Sequence, residues 1–372
     1  MNKIDQDGPL SGCRIIELAG IGPGPYCTQL LADMGAEVII VDRPGAGGYM
    51  IDGRGKKSMV LDLRNPDAVE AVLKLVETAD VLTEGYRPGV VERLGIGPEV
   101  CLERNPKLIY GRMTGWGQKG PWASKAGHDI NYLSLTGFLH LTGKKGQVPL
   151  PPINLVGDYG GGSMFLAMGI LSALYNSQKT GRGEVIDAAI IDGVSSMLGI
   201  VQSLTTIGQW TNERESNLLD GGAPFYRCYE TAEGKYMAVG CIEPKFFEQM
   251  LVIIDVSATA YGGQYDRKLW ATQHELLERV FKSKTRDQWT ELFDGSDACV
   301  TPVLDMVEAQ NHHHNKARNS HVTLDGFSQP LRAPRIGNVN SDTLGRIPKK
   351  GADTDSLLRS IGLSDAVIKT LI

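Results

Sequence analysis

The sequence lacks several features, and each absence removes a class of function. Nowhere in its 372 residues do about eighteen apolar residues run together, so no membrane-spanning helix is expected. Basic charge is not in excess. With 38 Lys and Arg against 43 Asp and Glu, the formal net charge is -5, and no global field draws in nucleic acid. An anionic ligand must then be held by a local basic cluster. Cysteine is sparse: Cys13, Cys27, Cys101, Cys228, Cys241 and Cys299 are scattered with no CxxC pair, which argues against a disulfide framework and a thiolate metal site. They are expected to be reduced. The opening "MNKIDQDGPLSG" has no apolar core like that of a signal peptide, so a cytoplasmic protein is expected. Three adjacent histidines, 312 to 314, point in different directions and have no carboxylate or cysteine at ligand spacing, so no metal is expected either.

What is present is an ordinary globular composition. At 42% hydrophobic and 22% charged, the chain can bury a sizeable core and is long enough for two domains. Its first 115 or so residues alternate β-branched runs with helical periods: "CRIIEL", "PYCTQLLADMGA", "EVIIVD", "AVEAVLKLVETA", "DVLTEG" and "KLIYGRMTG". That alternation predicts an α/β fold with a parallel Rossmann-like sheet and flanking helices. A long apolar helix follows in "GDYGGGSMFLAMGILSALYNSQKTG", then a strand, "GEVIDAAI", and another helix, "DGVSSMLGIVQSLTTIG". After a polar stretch the pattern becomes a hairpin, "FYRCYETAEGKYMAVGCI", then helices. We therefore expect a large domain over 1–220, a smaller α+β domain over 221–330, and a segment 331–372 returning to the large domain. No internal repeat is evident.

Four features carry candidate chemistry. "GIGPGP", residues 20 to 25, joins a strand to a helix, and Asp42 closes the next strand, which resembles a dinucleotide fingerprint. However, Pro25 replaces the third glycine and Arg43 follows the acid, so a Gly/Pro turn allowing close approach is the better account. Arg43, Arg54, Lys56, Lys57, Arg87 and Arg93 cluster around the strand ends, where together they could hold the phosphates of a nucleotide-like carrier. Asp158 of "NLVGDYGGGSMF" falls where a helix starts. It reads as an N-cap, and free N–H groups there would also stabilise a nearby oxyanion. His128 of "GHDINYLSLTG" reads, on its own, as a core or surface histidine.

These segments together resemble the family III CoA-transferase superfamily, and within it the α-methylacyl-CoA racemases. The likeness is close to chain-wide: "GPLSGCRIIELAGIGPGP", "LLADMGAEVIIVDRPG", "ADVLTEGYRPGVVERLGIG", "GRMTGWGQKGP", "GHDINYLSLTG", "NLVGDYGGGSMF", "GRGEVIDAAIIDGV", "GCIEPKFF" and "DACVTPVL" stand in the family's order. The resemblance implies an acyl-CoA substrate with no cofactor beyond its CoA, the basic cluster accepting the adenosine and phosphate groups. It implies catalytic positions at His128, Asn154, Asp158 and Glu243, and an interlocked homodimer. Gly53 departs from the pattern, standing where related sequences often carry Asn before "RGK".

Keeping both an imidazole and a carboxyl at the site favours racemisation. A racemase removes the proton α to the thioester carbonyl from one face and returns one to the other, so it needs two bases. His128 and Asp158 would be that pair, with Glu243 orienting the imidazole and Asn154 fixing the geometry near Asp158. N–H groups near Asp158 are the expected enolate stabilisers. The alternatives are a CoA-transferase in which Asp158 attacks the acyl-CoA to form an acyl-enzyme, and an acyl-CoA-binding protein without turnover.

Overall fold

The computed structural model describes residues 8–324, 326–336 and 344–372. Valine- and isoleucine-rich runs form six parallel strands: β1 (Arg14–Leu18), β2 (Glu37–Asp42), β3 (Lys57–Val60), β4 (Val81–Glu84), β5 (Ile109–Thr114) and β6 (Glu184–Ala189). They are ordered β3-β2-β1-β4-β5-β6. Register follows the apolar pattern: Ile16 of β1 lies opposite Ile39 of β2 and Leu82 of β4, and all three are fully buried. Strands covered on both faces read as near-continuous apolar runs, which is why the alternation was legible.

Helices connect and cover the strands: α1 (Pro23–Asp33), α2 (Pro66–Val76), α3 (Val90–Arg93) and α4 (Pro98–Arg104). Then come α5 (Asp129–Thr136), α6 (Phe138–Leu141), α7 (Met164–Thr180) and α8 (Ile190–Met197). Prolines pre-set the first turns of α1, α2 and α4, and Asn65 caps α2 by accepting the Asp67 N–H at 3.0 Å. One core layer packs Ile16, Leu18, Ile39 and Val41 under Val72, Leu75 and Val76 of α2. The C-terminal Leu357, Leu358 and Ile368 join that layer, and Ser58 of β3 donates its N–H to Asp353 at 2.8 Å.

The chain divides into two compact units at places other than those expected. One comprises residues through Thr136, Ile153–Met197 and Lys316–Ile372; the other comprises Gly137–Pro152 and Leu198–Asn315. The division thus falls at 197 rather than 220 and at 315 rather than 330, and residues 137–152, including α6, belong with the second unit. Apolar periodicity runs on through 190–206 because α8 is followed at once by a second helix, Gly199–Thr206, so no composition change marks the break.

The second unit holds the hairpin expected from "AEGK", β7 (Tyr226–Glu230) with β8 (Tyr236–Gly240), extended by β9 (Val300–Pro302) into an antiparallel sheet. Its core is aromatic, with Tyr229 stacked on Phe281 and Phe225 edge-on to Trp270. No helix among the described residues is long and apolar enough to cross a membrane.

Candidate active site

The sheet reverses its winding between β1 and β4, and the carboxyl ends of such neighbours frame the crevice where ligands bind in open α/β sheets. The loop leaving β1 enters α1 through Gly22, whose φ of 69° lies in the left-handed region. A Cβ built there would stand 3.6 Å from Asp158 Oδ2. The glycine-proline turn therefore brings the start of α1 against a carboxylate of this chain.

Asp158 is not an N-cap. A π-helical segment, Leu155–Ser163, precedes α7, and Asp158 lies within it, one turn inside the start at Asn154. The glycines allow this wider turn to pack on α8: a Cβ on Gly161 would come within 2.6 Å of Val194 Cγ2, and one on Gly193 within 2.0 Å of Gly161 O. The half-buried Asp158 side chain accepts the Asn154 Nδ2–H at 3.0 Å, the pairing expected for Asn154. Nearby, Tyr26 and Tyr159 meet edge to face at 4.8 Å between ring centres. Burial pushes the Tyr159 phenol up, with the charges of Asp52 and Asp158 adding to the effect.

One main-chain N–H of this turn is already occupied. Asp129 Oδ1 accepts the Asp158 N–H at 2.9 Å. The Asp158 N–H itself is thereby removed from the N–H groups expected to stabilise an oxyanion. Asp129 is only 9% exposed. Burial raises its carboxyl above the usual range and Asp158's charge adds to that, while the main-chain N–H groups of Asp158 and Gly157 pull the other way.

His128 sits immediately before Asp129, at the start of α5. Its N–H donates to Asn131 Oδ1 at 3.1 Å, and its carbonyl accepts from Asn131 at 2.8 Å and Tyr132 at 3.2 Å, so its backbone is fixed while the residue stays exposed. Tyr132 packs edge-on against Trp116, and its hydroxyl donates to the Gly127 carbonyl at 2.5 Å, closing the loop before His128. The first-turn N–H groups of α5, those of Asp129 and Ile130, have no intrahelical acceptor. They lie at the positive end of the helix that carries His128.

Glu243 belongs to the second unit. It is exposed at the start of the helix Pro244–Ile253, in extended conformation with φ -73° and ψ 140°, and its side chain makes no capping bond. Proline at the first helical position and Tyr265, whose hydroxyl donates to Ile242 O at 2.5 Å, fix the backbone beside it.

The basic cluster separates into three groups. Arg54 and Lys56 are buried with their charge neutralised internally: Arg54 Nη2 lies 2.6 Å from Asp33 Oδ2, and Lys56 Nζ lies 2.7 Å from Glu17 Oε2 and 2.8 Å from both Pro25 O and Thr28 Oγ1. Both side chains are already spent on internal partners, which argues against the phosphate contacts expected of them. Lys57 opens β3 and pairs with Glu37 at the amino end of β2, opposite to the crevice. Arg43, Arg87 and Arg93 remain, all exposed and all following the carboxyl ends of β2 or β4. Buried Arg112 of β5 braces the last two: its guanidinium bonds Glu84 at 2.9 Å and Glu92 at 2.8 Å, while Glu84 accepts the Tyr86 N–H at 2.6 Å. Sequence reading missed Arg112 and Lys350, which lies 2.6 Å from Asp42 beside Arg43.

The chain as a whole has named relatives. Residues 10–354 match CoA-transferase family III. The chain belongs to that family. Among CoA-transferase family III proteins, one from Mus musculus named alpha-methylacyl-CoA racemase is 42% identical over 365 residues, covering 97% of this chain and 96% of the relative. Its namesake from Homo sapiens is 41% identical over 359 residues, covering 95% and 94%. A solved structure of a CAIB/BAIF family protein from Brucella suis superposes with a TM-score of 0.81 at 25% identity, covering 95% of this chain and 99% of that one.

Proposed function

We propose that this chain is an α-methylacyl-CoA racemase, an isomerase that inverts the C2 centre of a 2-methyl-branched acyl-CoA. The observation that carries the mechanism is that an imidazole-bearing residue and a carboxyl-bearing residue are fastened to one framework: His128 precedes Asp129, and Asp129 binds the Asp158 turn. Racemase relatives at 42% and 41% identity over nearly the whole chain support the reaction.

In one direction neutral His128 takes the C2 proton and the C–H electron pair delocalises onto the thioester oxygen. Protonated Asp158 then delivers its proton to the opposite face of C2. The site is left with imidazolium and carboxylate, which is the starting state for the reverse direction. The first-turn N–H groups of α5 are the enolate donors we favour, because that of Asp158 already serves Asp129. Asn154 holds one Asp158 oxygen, leaving the other for the substrate. Arg43, Arg87 and Arg93 take the anionic end of CoA, and no cofactor beyond that CoA is required. The free cysteines, with Cys228 and Cys299 exposed, suit a reducing compartment such as the cytoplasm.

The test follows from the chemistry. Incubated in deuterated water with a 2-methylacyl-CoA and no acceptor acid, the protein should introduce one deuterium at C2, read by mass spectrometry. Acyl-CoA consumption that needs a free carboxylic acid and brings no label would establish the transferase reading, with Asp158 as nucleophile.

The protein acts as a homodimer in this reading, with Glu243 of one copy serving the His128 of the other. A face of α7 supports a second copy: Met164, Met168, Leu171 and Tyr175, at helical spacing, are 47%, 57%, 36% and 64% exposed. In mixed dimers of differently tagged chains, His128→Ala paired with Glu243→Ala should keep about half of the parental activity, because both lesions fall in one of two equivalent sites. His128→Ala paired with Asp158→Ala should be inactive. A folded, CoA-binding first pairing without activity would place Glu243 in its own chain's site or outside the site.

A further inference from the structure

We infer that Asp129 is a positioning residue that sets the spacing between the two bases. Its main chain is joined to His128 by a peptide bond, and its side chain accepts the Asp158 N–H at 2.9 Å. One residue therefore ties the backbone carrying the imidazole to the backbone carrying the carboxyl, across elements with no other covalent connection nearby.

Three observations support the assignment. The Asp129 carboxylate is buried, at 9% exposure, yet among the described residues it pairs with no cation and accepts a main-chain donor, the Asp158 N–H. A buried carboxylate without a cation costs stability, so its retention here calls for a role other than stabilising the fold. The contact also demands glycine at 157, since a Cβ there would lie 2.1 Å from Asp129 Oδ1. Finally, the clasped turn is π-helical, a geometry that is uncommon and often found at functional sites. The wider turn leaves N–H groups at its start, and Asp129 satisfies that of Asp158.

The functional consequence rests on the racemase reading. Two bases must straddle a single carbon, and a displacement of about 1 Å from productive geometry can cost on the order of 10²-fold. Loosening the Asp158 turn leaves His128 able to remove a proton from one face and return a solvent-derived one to that same face. Exchange with retention then continues while inversion fails. Loss of folded enzyme would instead lower both together.

The experiment compares Asp129→Ala, Asp129→Asn and Gly157→Ala with the parent in deuterated water, scoring label at C2 separately in retained and inverted product. Asp129→Ala is expected to lower kcat for inversion by about 100-fold with KM little changed, while label in the retained epimer persists. Asp129→Asn, which keeps one acceptor oxygen, should recover part of the loss. Gly157→Ala should behave like Asp129→Ala. In parallel, amide hydrogen exchange of peptides spanning 155–163 should quicken in the variants, a readout independent of activity. Retention and inversion falling in step, or inversion untouched in all three, would overturn the assignment; if Asp129→Ala does not fold, the other two variants decide. A parent enzyme that exchanges no proton would overturn the racemase reading instead, and amide exchange would still show whether Asp129 clasps the turn.

Discussion

Asp158→Asn and His128→Gln should each lower epimerisation on the order of 10³-fold in both directions, because either loss leaves one face of C2 without a proton donor or acceptor. Both replacements keep size and polarity. The amide introduced by Asp158→Asn can still meet Asn154, whose Nδ2 lies 3.0 Å from the present carboxylate, so the π-helical turn need not rearrange. What survives should differ between the variants. Each retains one base, so each should still exchange the α-proton of the epimer that faces that base, and the two variants should label opposite epimers. Chiral separation of the labelled thioesters reads this directly. A transferase would behave otherwise, since losing the nucleophile at Asp158 removes all turnover while replacing His128 leaves acyl transfer intact. Near-normal inversion in His128→Gln would make the histidine a mere start to α5 and would end the two-base assignment.

The parts that were legible in the sequence are those governed by local pattern. Ile15, Ile16 and Leu18 of β1, interrupted only by Glu17, and Val38 to Val41 of β2 form near-continuous apolar runs because both faces of the strand are covered, and that signal needs no knowledge of partners. His128 and Asp158 were legible through the resemblance, not through their own spacing. The missed features all depend on contacts distant in sequence. Arg54 and Lys56 look like any basic residues of a loop, and only the fold brings Asp33 and Glu17 beneath them. Asp129 was passed over beside a more conspicuous histidine, although the glycine before Asp158 was a usable signal. The π-helical turn escaped for a further reason: five-residue hydrogen bonding has no apolar period of its own to distinguish it from the first turn of an α-helix.

The internal use of two basic side chains gives the second large effect, on stability rather than on rate. Lys56 has no exposed side-chain surface, and its ammonium bonds Glu17, Pro25 O and Thr28, joining the start of β3 to β1 and to the first turns of α1. Removing one member of such a pair strands the other charge in the interior, so Lys56→Met should lower unfolding free energy by about 3–5 kcal/mol, and Arg54→Met should act similarly by isolating Asp33. Urea denaturation followed by circular dichroism measures this. The double variant Lys56→Met with Glu17→Leu removes both charges, and apolar replacement of a whole buried pair is often neutral or better, so most of the stability should return. Affinity for CoA, measured by calorimetry on folded protein, should be little changed in Arg54→Met. Arg87→Ala should show the reverse: weaker CoA binding, increasingly masked at high salt, with an unchanged urea midpoint. If Arg54→Met unfolds at the parental urea concentration and loses CoA affinity, its guanidinium reaches the ligand in solution and the buried pair with Asp33 is not its resting state.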